Sequence, residues 1–221
     1  MRLFTKILTT AQAYALCLVP CVLCLVLASC GGYRTPERGT WNTILRGASF
    51  GAMTESARVA KMPLYLDAGG RTLQQQEVAL YMAQLEQELN DALRKPGIQI
   101  SRIGSDALVV MVRGALISDD SPDFSDDGVD TLRALARTLS RHDRAFLEIS
   151  GYSDAMADQN AAMRFSFDMA ERVAVFLAQH RVKPIRMFVI GRGSARPIAD
   201  QSHTGRQMNR RVEIRISPIV R

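Results

Sequence analysis

The most informative stretch of the chain opens with LEISGYSD (Leu147–Asp154), continues through GRG (Gly191–Gly193) and closes with GRQMNRRVEI (Gly205–Ile214). The apolar segment Phe146–Ser150 predicts a strand that leads into the first of these motifs. Apolar and polar residues alternate over Arg211–Ile216, which predicts a second strand. Because one side of that strand is polar, the pattern indicates a sheet covered by helices on one side.

Helices and a further strand are predicted around these segments. Apolar residues recur at helical spacing over Val129–His142 and again over Met163–Gln179. A short apolar run follows at Met187–Ile190, just after the turn residue Pro184. The alternation of strands and helices predicts an α+β fold, a two-layer sandwich with a β-α-β-α-β core.

Two further elements are predicted before this core. The segment Gln74–Leu93 has an apolar stripe at helical spacing, with glutamine and glutamate over the rest of its surface. The runs Ile98–Ile103 and Ala107–Val112 are separated by Gly104–Asp106, which predicts a β-hairpin.

These motifs resemble the OmpA-like C-terminal domain, a periplasmic module that binds peptidoglycan. The family pattern is Gly-His-Thr-Asp, then Leu-Ser-x-x-Arg-Ala, then Gly-x-Gly, then Asn-Arg-Arg-Val-Glu. The segment Asn209–Ile214 matches the last motif in full, and Gly151–Asp154 matches the first in part. The resemblance implies an OmpA-like sandwich that follows the helix and hairpin. It implies a binding module without enzymatic activity or a cofactor.

The resemblance also implies where a ligand binds. In this family the aspartate of the first motif pairs with the amine of diaminopimelate in the peptidoglycan stem peptide, and the arginine of the second binds its carboxylate. The aspartate corresponds to Asp154, whereas the arginine position is occupied by Met169 and the histidine position by Tyr152. A thioether cannot bind a carboxylate as a guanidinium does, so another arginine has to replace it.

Three arginines are candidates for that role: Arg172, Arg206 and Arg210, with Arg164 less well placed. The alternative for Arg210 is structural, since its guanidinium could satisfy backbone carbonyls. The alternative for Asp154 is that it caps the loop before the helix.

The N-terminus has the features of a secretory signal: basic Arg2 and Lys6, the uncharged apolar run Leu16–Ala28, and then the sequence LASC that ends at Cys30. This ending resembles a lipobox, which implies that Cys30 is acylated, for instance with palmitate, after cleavage. By the family rule, Gly31 after the cysteine is compatible with sorting to the outer membrane. The alternative is an uncleaved transmembrane anchor.

Composition excludes several function classes. The other three cysteines, Cys17, Cys21 and Cys24, lie within the predicted signal, so disulfide, zinc-cysteine and cysteine-nucleophile sites are not expected in the mature chain. The net charge is +6, of which the signal accounts for two, and basic residues are interspersed with acidic ones, so nucleic-acid binding is not expected. The histidines are scattered, no nucleophile motif is present, and neither a metal site nor catalysis is expected.

An acidic stretch before the second helix allows two interpretations. Asp123–Gly128 imitates the start of a calcium loop, but the closing glutamate would fall at Ala134. Capping of the helix by Ser125 and its acidic neighbours is the simpler interpretation.

These observations divide the chain into a lipoprotein signal peptide (1–29), a lipid-anchored tether (30–73), the helix and hairpin (74–114) and the OmpA-like domain (115–221). Trp41, within the tether, can dock on a partner or on the protein's own domain. The expected protein is a non-enzymatic outer-membrane lipoprotein that faces the periplasm and tethers that membrane to peptidoglycan. The alternative is a structural lipoprotein of an envelope-spanning secretion system of the Dot/Icm type IV kind, whose OmpA-like domain packs against protein partners.

Overall fold

The computed structural model describes residues 36–104, 106–113, 124–156 and 158–221, and these contain six helices and six strands. The strands are β1 Ser49–Phe50, β2 Ile98–Ile103, β3 Ala107–Arg113, β4 Ala145–Tyr152, β5 Met187–Gly191 and β6 Arg211–Pro218. The helices are α1 Arg38–Ile44, α2 Glu55–Asp67, α3 Val78–Ala92, α4 Asp126–Arg141, α5 Gln159–Gln179 and α6 His203–Asn209. The predicted signal, Cys30 and the acidic stretch up to Asp123 lie outside the described residues.

One mixed sheet contains all six strands in the order β1-β5-β4-β6-β3-β2. Strand β5 lies parallel to both β1 and β4, whereas β6 is antiparallel to β4 and β3. The β2–β3 pair is the predicted hairpin, and helix α3 precedes it as expected. The predicted α+β sandwich is therefore confirmed.

The first face of the sheet holds the main core. Its inward side chains come from four adjacent strands and all are almost completely buried: Leu108, Val110, Leu147, Ile149, Met187, Val189, Val212, Ile214 and Ile216. Helix α5 packs on β4 and β5, α4 lies between α3 and α5, and α3 packs on β2 and β3. These helices bury the stripes that their sequences predicted, such as Leu132, Leu135 and Leu139 of α4.

The second face of the sheet is also covered in part, contrary to the expectation of helices on one side only. Every residue of β4 is buried. Phe146 of β4 lies between Tyr65 of α2 and Phe188 of β5, with ring centroids 5.6 Å apart in each pair. The polar side of β6 predicted an uncovered second face. Helix α2 covers this face mainly at β4 and β5, so the pattern of β6 carries no sign of it.

The segment 36–73, expected to belong to a tether, is folded in the structure. Strand β1 joins the sheet edge beside β5, and Trp41 of α1 is 3% exposed and lies 5.6 Å from the Arg172 guanidinium of α5. Each element of this segment buries only a few residues, and α2 contains Pro63. The segment therefore has no long apolar period, and this is why its sequence resembles a linker.

Two buried cations join elements of the fold: Lys61 links α2 to β1 and β5, and Arg186 links the start of β5 to the end of α4 and the start of β4. Lys61 of α2 is 3% exposed, and its Nζ donates to Ser49 Oγ at 2.8 Å and to the Met187 carbonyl at 2.7 Å. Arg186, just before β5, is 1% exposed and donates to three carbonyls, those of Leu139, His142 and Ala145. Loss of water around these groups lowers the pKa of both, to about 8 for Lys61.

No helix in the described part of the chain combines the length and the apolar character needed to span a membrane.

Candidate functional site

The candidate site lies at the edge of the sheet where β4 and β5 end. The loop that begins with Ser153 and Asp154 follows β4, and Arg192 and Gly193 follow β5. Because these strands are parallel, their following loops meet. Ser153 N donates to the Gly193 carbonyl at 2.8 Å, and Arg192 N donates to the Gly151 carbonyl at 2.9 Å. We call this region, residues 151–154, 191–193 and 209–210, the loop edge.

Helix α5 approaches this edge very closely, and glycine is required for it. A Cβ atom on Gly151 would lie 1.9 Å from the Ser166 carbonyl oxygen, and one on Gly191 would lie 2.7 Å from Phe167 N. The Ser166 hydroxyl accepts a hydrogen bond from Gly193 N at 2.8 Å. The glycines and the serine of the family motifs thus set the geometry of the loop edge.

Asp154 is not the cap of α5. That position belongs to Asp158, whose Oδ1 accepts from Asn160 N at 2.8 Å. Asp154 lies four residues earlier in the chain and is half-buried. Asp154 therefore does not cap helix α5 itself, and its role as a ligand residue stays a prediction.

Asn209 and Arg211, at the start of β6, have structural roles. Asn209 Oδ1 accepts from Ile198 N at 2.8 Å and from Ala199 N at 3.0 Å, which fixes the preceding loop. The Arg211 guanidinium is buried, donates to the carbonyls of Asn209 and Arg196, and lies 3.8 Å from the centroid of the Tyr152 ring. Asn209 and Arg211, the two neighbours of Arg210, thus hold the backbone around the start of β6.

Tyr152 and Met169, the two positions that depart from the family pattern, are both buried. Tyr152 is 4% exposed beneath Arg211, and burial raises its pKa. Met169 is 0% exposed. Neither side chain is available to a ligand in solution.

The three candidate arginines lie in different places. The Arg172 guanidinium lies over the ring of Trp41, on the α1 side of α5. Arg206 of α6 donates to the Gln201 carbonyl at 2.7 Å. Arg210 is half-buried and directly precedes Arg211, which pairs with Tyr152 across β6 and β4. Of the three, Arg210 is thus the one whose backbone lies at the loop edge with Asp154.

Sequence reasoning missed two features of this region. The sequence patterns do not predict helix α6, because its seven residues contain only one strongly apolar side chain, Met208. They also assign no role to Glu148, which is 9% exposed and accepts hydrogen bonds from Met53 N (2.5 Å), Ser150 Oγ (3.2 Å) and Arg192 Nη2 (3.1 Å). The signal for Glu148 is an acid in an otherwise apolar strand.

The acidic stretch before α4 agrees with capping. The Ser125 hydroxyl accepts from Gly128 N at 3.1 Å, and Asp126 and Asp127 lie in the first turn. Asp123 of the calcium-loop alternative lies outside the described residues. Within the described ranges, no group of three or more His, Cys, Asp or Glu residues is arranged to hold a metal ion.

Part of the chain matches a known family model. Residues 118–211 match the model of the OmpA family. Probable lipoprotein YiaD of Escherichia coli (strain K12) is 32% identical over 143 residues, which span 64% of this chain and 65% of that protein. This chain therefore covers slightly less than two thirds of that relative's length.

Solved structures share the fold. The cell wall anchor of the T6SS from Pseudomonas aeruginosa superimposes with a TM-score of 0.53 at 27% identity, over 61% of this chain and 96% of that one. The periplasmic domain of Helicobacter pylori MotB (residues 90–256) gives a TM-score of 0.50 at 22% identity, over 57% of this chain and 82% of that one.

Proposed function

We propose that this chain, which carries an OmpA-like domain over residues 118–211, is a non-enzymatic outer-membrane lipoprotein that binds peptidoglycan through its loop edge. Acylation of Cys30 would hold it in the membrane, and the domain would hold the wall. The OmpA family is a family of structural and binding domains, and a lipoprotein and a cell wall anchor are among the relatives.

The observation that carries this proposal is the position of Asp154. Its backbone lies at an edge that hydrogen bonds from Ser153, Arg192 and Gly193 fix in place, and helix α5 is capped by Asp158 and not by Asp154. A half-buried carboxylate on a fixed backbone can pair with the ammonium group of diaminopimelate at a lower ordering cost than one on a mobile loop.

The carboxylate of that ligand needs a guanidinium partner, and Met169 cannot supply it. We assign this role first to Arg210, because its backbone lies at the loop edge, and next to Arg206 of α6. Arg172 is the weakest of the three, since its guanidinium lies over Trp41.

Co-sedimentation with purified diaminopimelate-type sacculi tests the proposal. We expect the native protein to sediment with the sacculi. We expect Asp154→Asn to bind at least about tenfold more weakly, because it loses one charged contact worth about 1.4 kcal/mol or more. Asp106→Asn is the matched control, because Asp106 is an exposed acid in the β2–β3 turn at the opposite end of the sheet. Equal binding by native protein and Asp154→Asn would refute the assignment of the site.

The burial of Met169 favours a second candidate function, a structural subunit of an envelope-spanning assembly. Substitution of the family arginine by a fully buried methionine removes one half of the expected ligand pair and adds to the packing of the domain. If native protein does not bind sacculi at all, this second function replaces the first.

A further inference from the structure

A groove lies along the outer edge of the sheet, between the β1–β5 edge and the first half of α5. It has a volume of about 470 Å³, within the range of roughly 300–1,000 Å³ that is usual for ligand pockets. Its floor is apolar and contains Phe50, Met163, Phe167, Val189 and Ile190.

The groove lies on the other side of α5 from the family's ligand position. Met163 and Phe167, four residues apart, line it on one side of the helix. Met169, the position of the family arginine, lies two residues beyond Phe167 and is therefore about 200° further around the helix. The groove adjoins the loop edge at Gly191, which belongs to both, but it contains neither Asp154 nor Arg210, the residues proposed to bind diaminopimelate.

Large apolar side chains in this groove are open to solvent. Phe50 is 53% exposed and Met163 is 47% exposed, and the Phe50 ring lies 6.1 Å from that of Phe167. Exposed apolar clusters of this kind, next to polar side chains, are typical of interaction surfaces.

One wall of the groove is an incompletely paired strand. Among the described residues, strand β1 pairs with Phe188 and Val189 of β5. The hydrogen bond from Gly51 N to the Val189 carbonyl ends this pairing. Gly51 has a φ of 142°, a conformation that favours glycine, and the chain leaves the edge there. Beyond Val189, the end of β5 offers an edge along which another extended chain can lie.

The rim of the groove is positive. Arg38 and Arg164 have side chains that are 63% and 70% exposed, and Asp168 is the one carboxylate in the lining. Asp168 is already paired with Arg38. Arg164 approaches Asp158, outside the groove, only to 3.7 Å, so its guanidinium keeps hydrogen-bond donors for an incoming acid.

We propose that this groove binds an extended acidic segment of a partner protein, with a large apolar side chain on the Phe50–Phe167 floor and a carboxylate at Arg164. The apolar floor selects the side chain, the edge of β5 aligns the backbone, and the positive rim selects the acid. The inference does not depend on peptidoglycan binding.

Selection from a phage-displayed library of linear nine-residue peptides on the full chain, purified in detergent, tests this proposal. We expect enriched peptides to carry an aromatic or large aliphatic residue within three positions of Asp or Glu. Fluorescence anisotropy should then show binding weakened at least tenfold by Arg164→Glu and by Phe50→Asp. Binding should be unchanged in Arg133→Glu, an exposed arginine of α4 outside the groove that is also paired with an aspartate.

Other results would overturn the proposal. The proposal is wrong if the selection enriches no peptide, if the enriched peptides lack acidic residues, or if Arg164→Glu and native protein bind the peptides equally. A concentration-dependent dimer in analytical ultracentrifugation that Phe50→Asp abolishes would assign the groove to a second copy of the chain instead. Circular dichroism of both groove variants separates loss of binding from loss of folding.

Discussion

Lys61 is a buried cation whose two hydrogen bonds, to Ser49 Oγ and the Met187 carbonyl, are to neutral acceptors. Burial lowers its pKa from 10.5 to about 8. Between these two values the unfolded chain binds more protons than the folded chain, so this group makes the free energy of unfolding rise with pH. Below about pH 8 the cost of burying the charge is fully present.

We therefore predict that the free energy of unfolding of the native protein rises by about 1–2 kcal/mol between pH 7.5 and 9.5, relative to that of Lys61→Met. Urea unfolding at a series of pH values measures this difference. The comparison stays below pH 10, where the buried tyrosines, whose pKa values are raised, begin to titrate in the unfolded chain. Parallel pH dependence in the two proteins would contradict the explanation.

At the residue scale, sequence patterns identified part of what matters. Asp154 and the position of Met169 followed from the alignment of motifs, and Ser125 followed from capping rules. The roles of Lys61 and Arg186 could not be predicted, because their acceptors are as far as 126 and 47 positions away in the chain. Long-range burial of a cation leaves no local pattern.

At the scale of elements, the close packing of α5 on β4 sets the geometry of the loop edge. The Cβ of an alanine at Gly151 would lie 1.9 Å from the Ser166 carbonyl oxygen, and the clash involves backbone that cannot rotate away. The helix would have to move outward, and with it the Ser166 hydroxyl that binds Gly193 N.

Gly151→Ala is accordingly predicted to lower the free energy of unfolding by about 3 kcal/mol and to weaken binding to sacculi. Gly39→Ala is the control, because no atom lies within 4 Å of its added methyl group and it is in helix α1, where alanine is preferred. Chemical denaturation of both variants measures the effect. If Gly151→Ala is as stable as the native protein, α5 does not pack against β4 as closely as described.

The long periodic elements were predictable, and the short ones were not. Helices α3, α4 and α5 and the β2–β3 hairpin agree with the predicted segments to within a few residues. The structure adds a four-residue start to α5, the seven-residue helices α1 and α6, and the 13-residue helix α2, which contains Pro63 and shows no long apolar period. A helix of two turns contains too few apolar positions to establish a period.

At the scale of the whole molecule, the residues after position 35 belong to the folded unit. Helices α1 and α2 and strand β1 pack on the sheet or on α5, and Trp41 and Tyr65 are buried there. The division of the chain into a tether over 30–73 and later segments therefore does not apply to residues 36–73. The start of the OmpA-like domain at 115 remains a prediction.

Limited proteolysis with trypsin distinguishes a folded segment from a tether. We expect Arg46, Arg58 and Lys61 to resist cleavage under native conditions, because local unfolding is needed for a protease to reach their backbone. Trp41→Ala should accelerate cleavage at Arg46 at least severalfold, since it removes the anchor of α1. Rapid cleavage of the native protein at all three sites would restore the tether interpretation.

The central claim is that the loop edge binds the diaminopimelate stem peptide. Its most direct test is titration of the isotope-labelled soluble form, beginning at Gly31, with a stem tripeptide that ends in diaminopimelate, followed by NMR of the backbone amides. The account predicts saturable shifts at Ser153, Asp154, Gly193 and Arg210, which Asp154→Asn abolishes. No shifts, or shifts confined to the β2–β3 hairpin at the other end of the sheet, would contradict it.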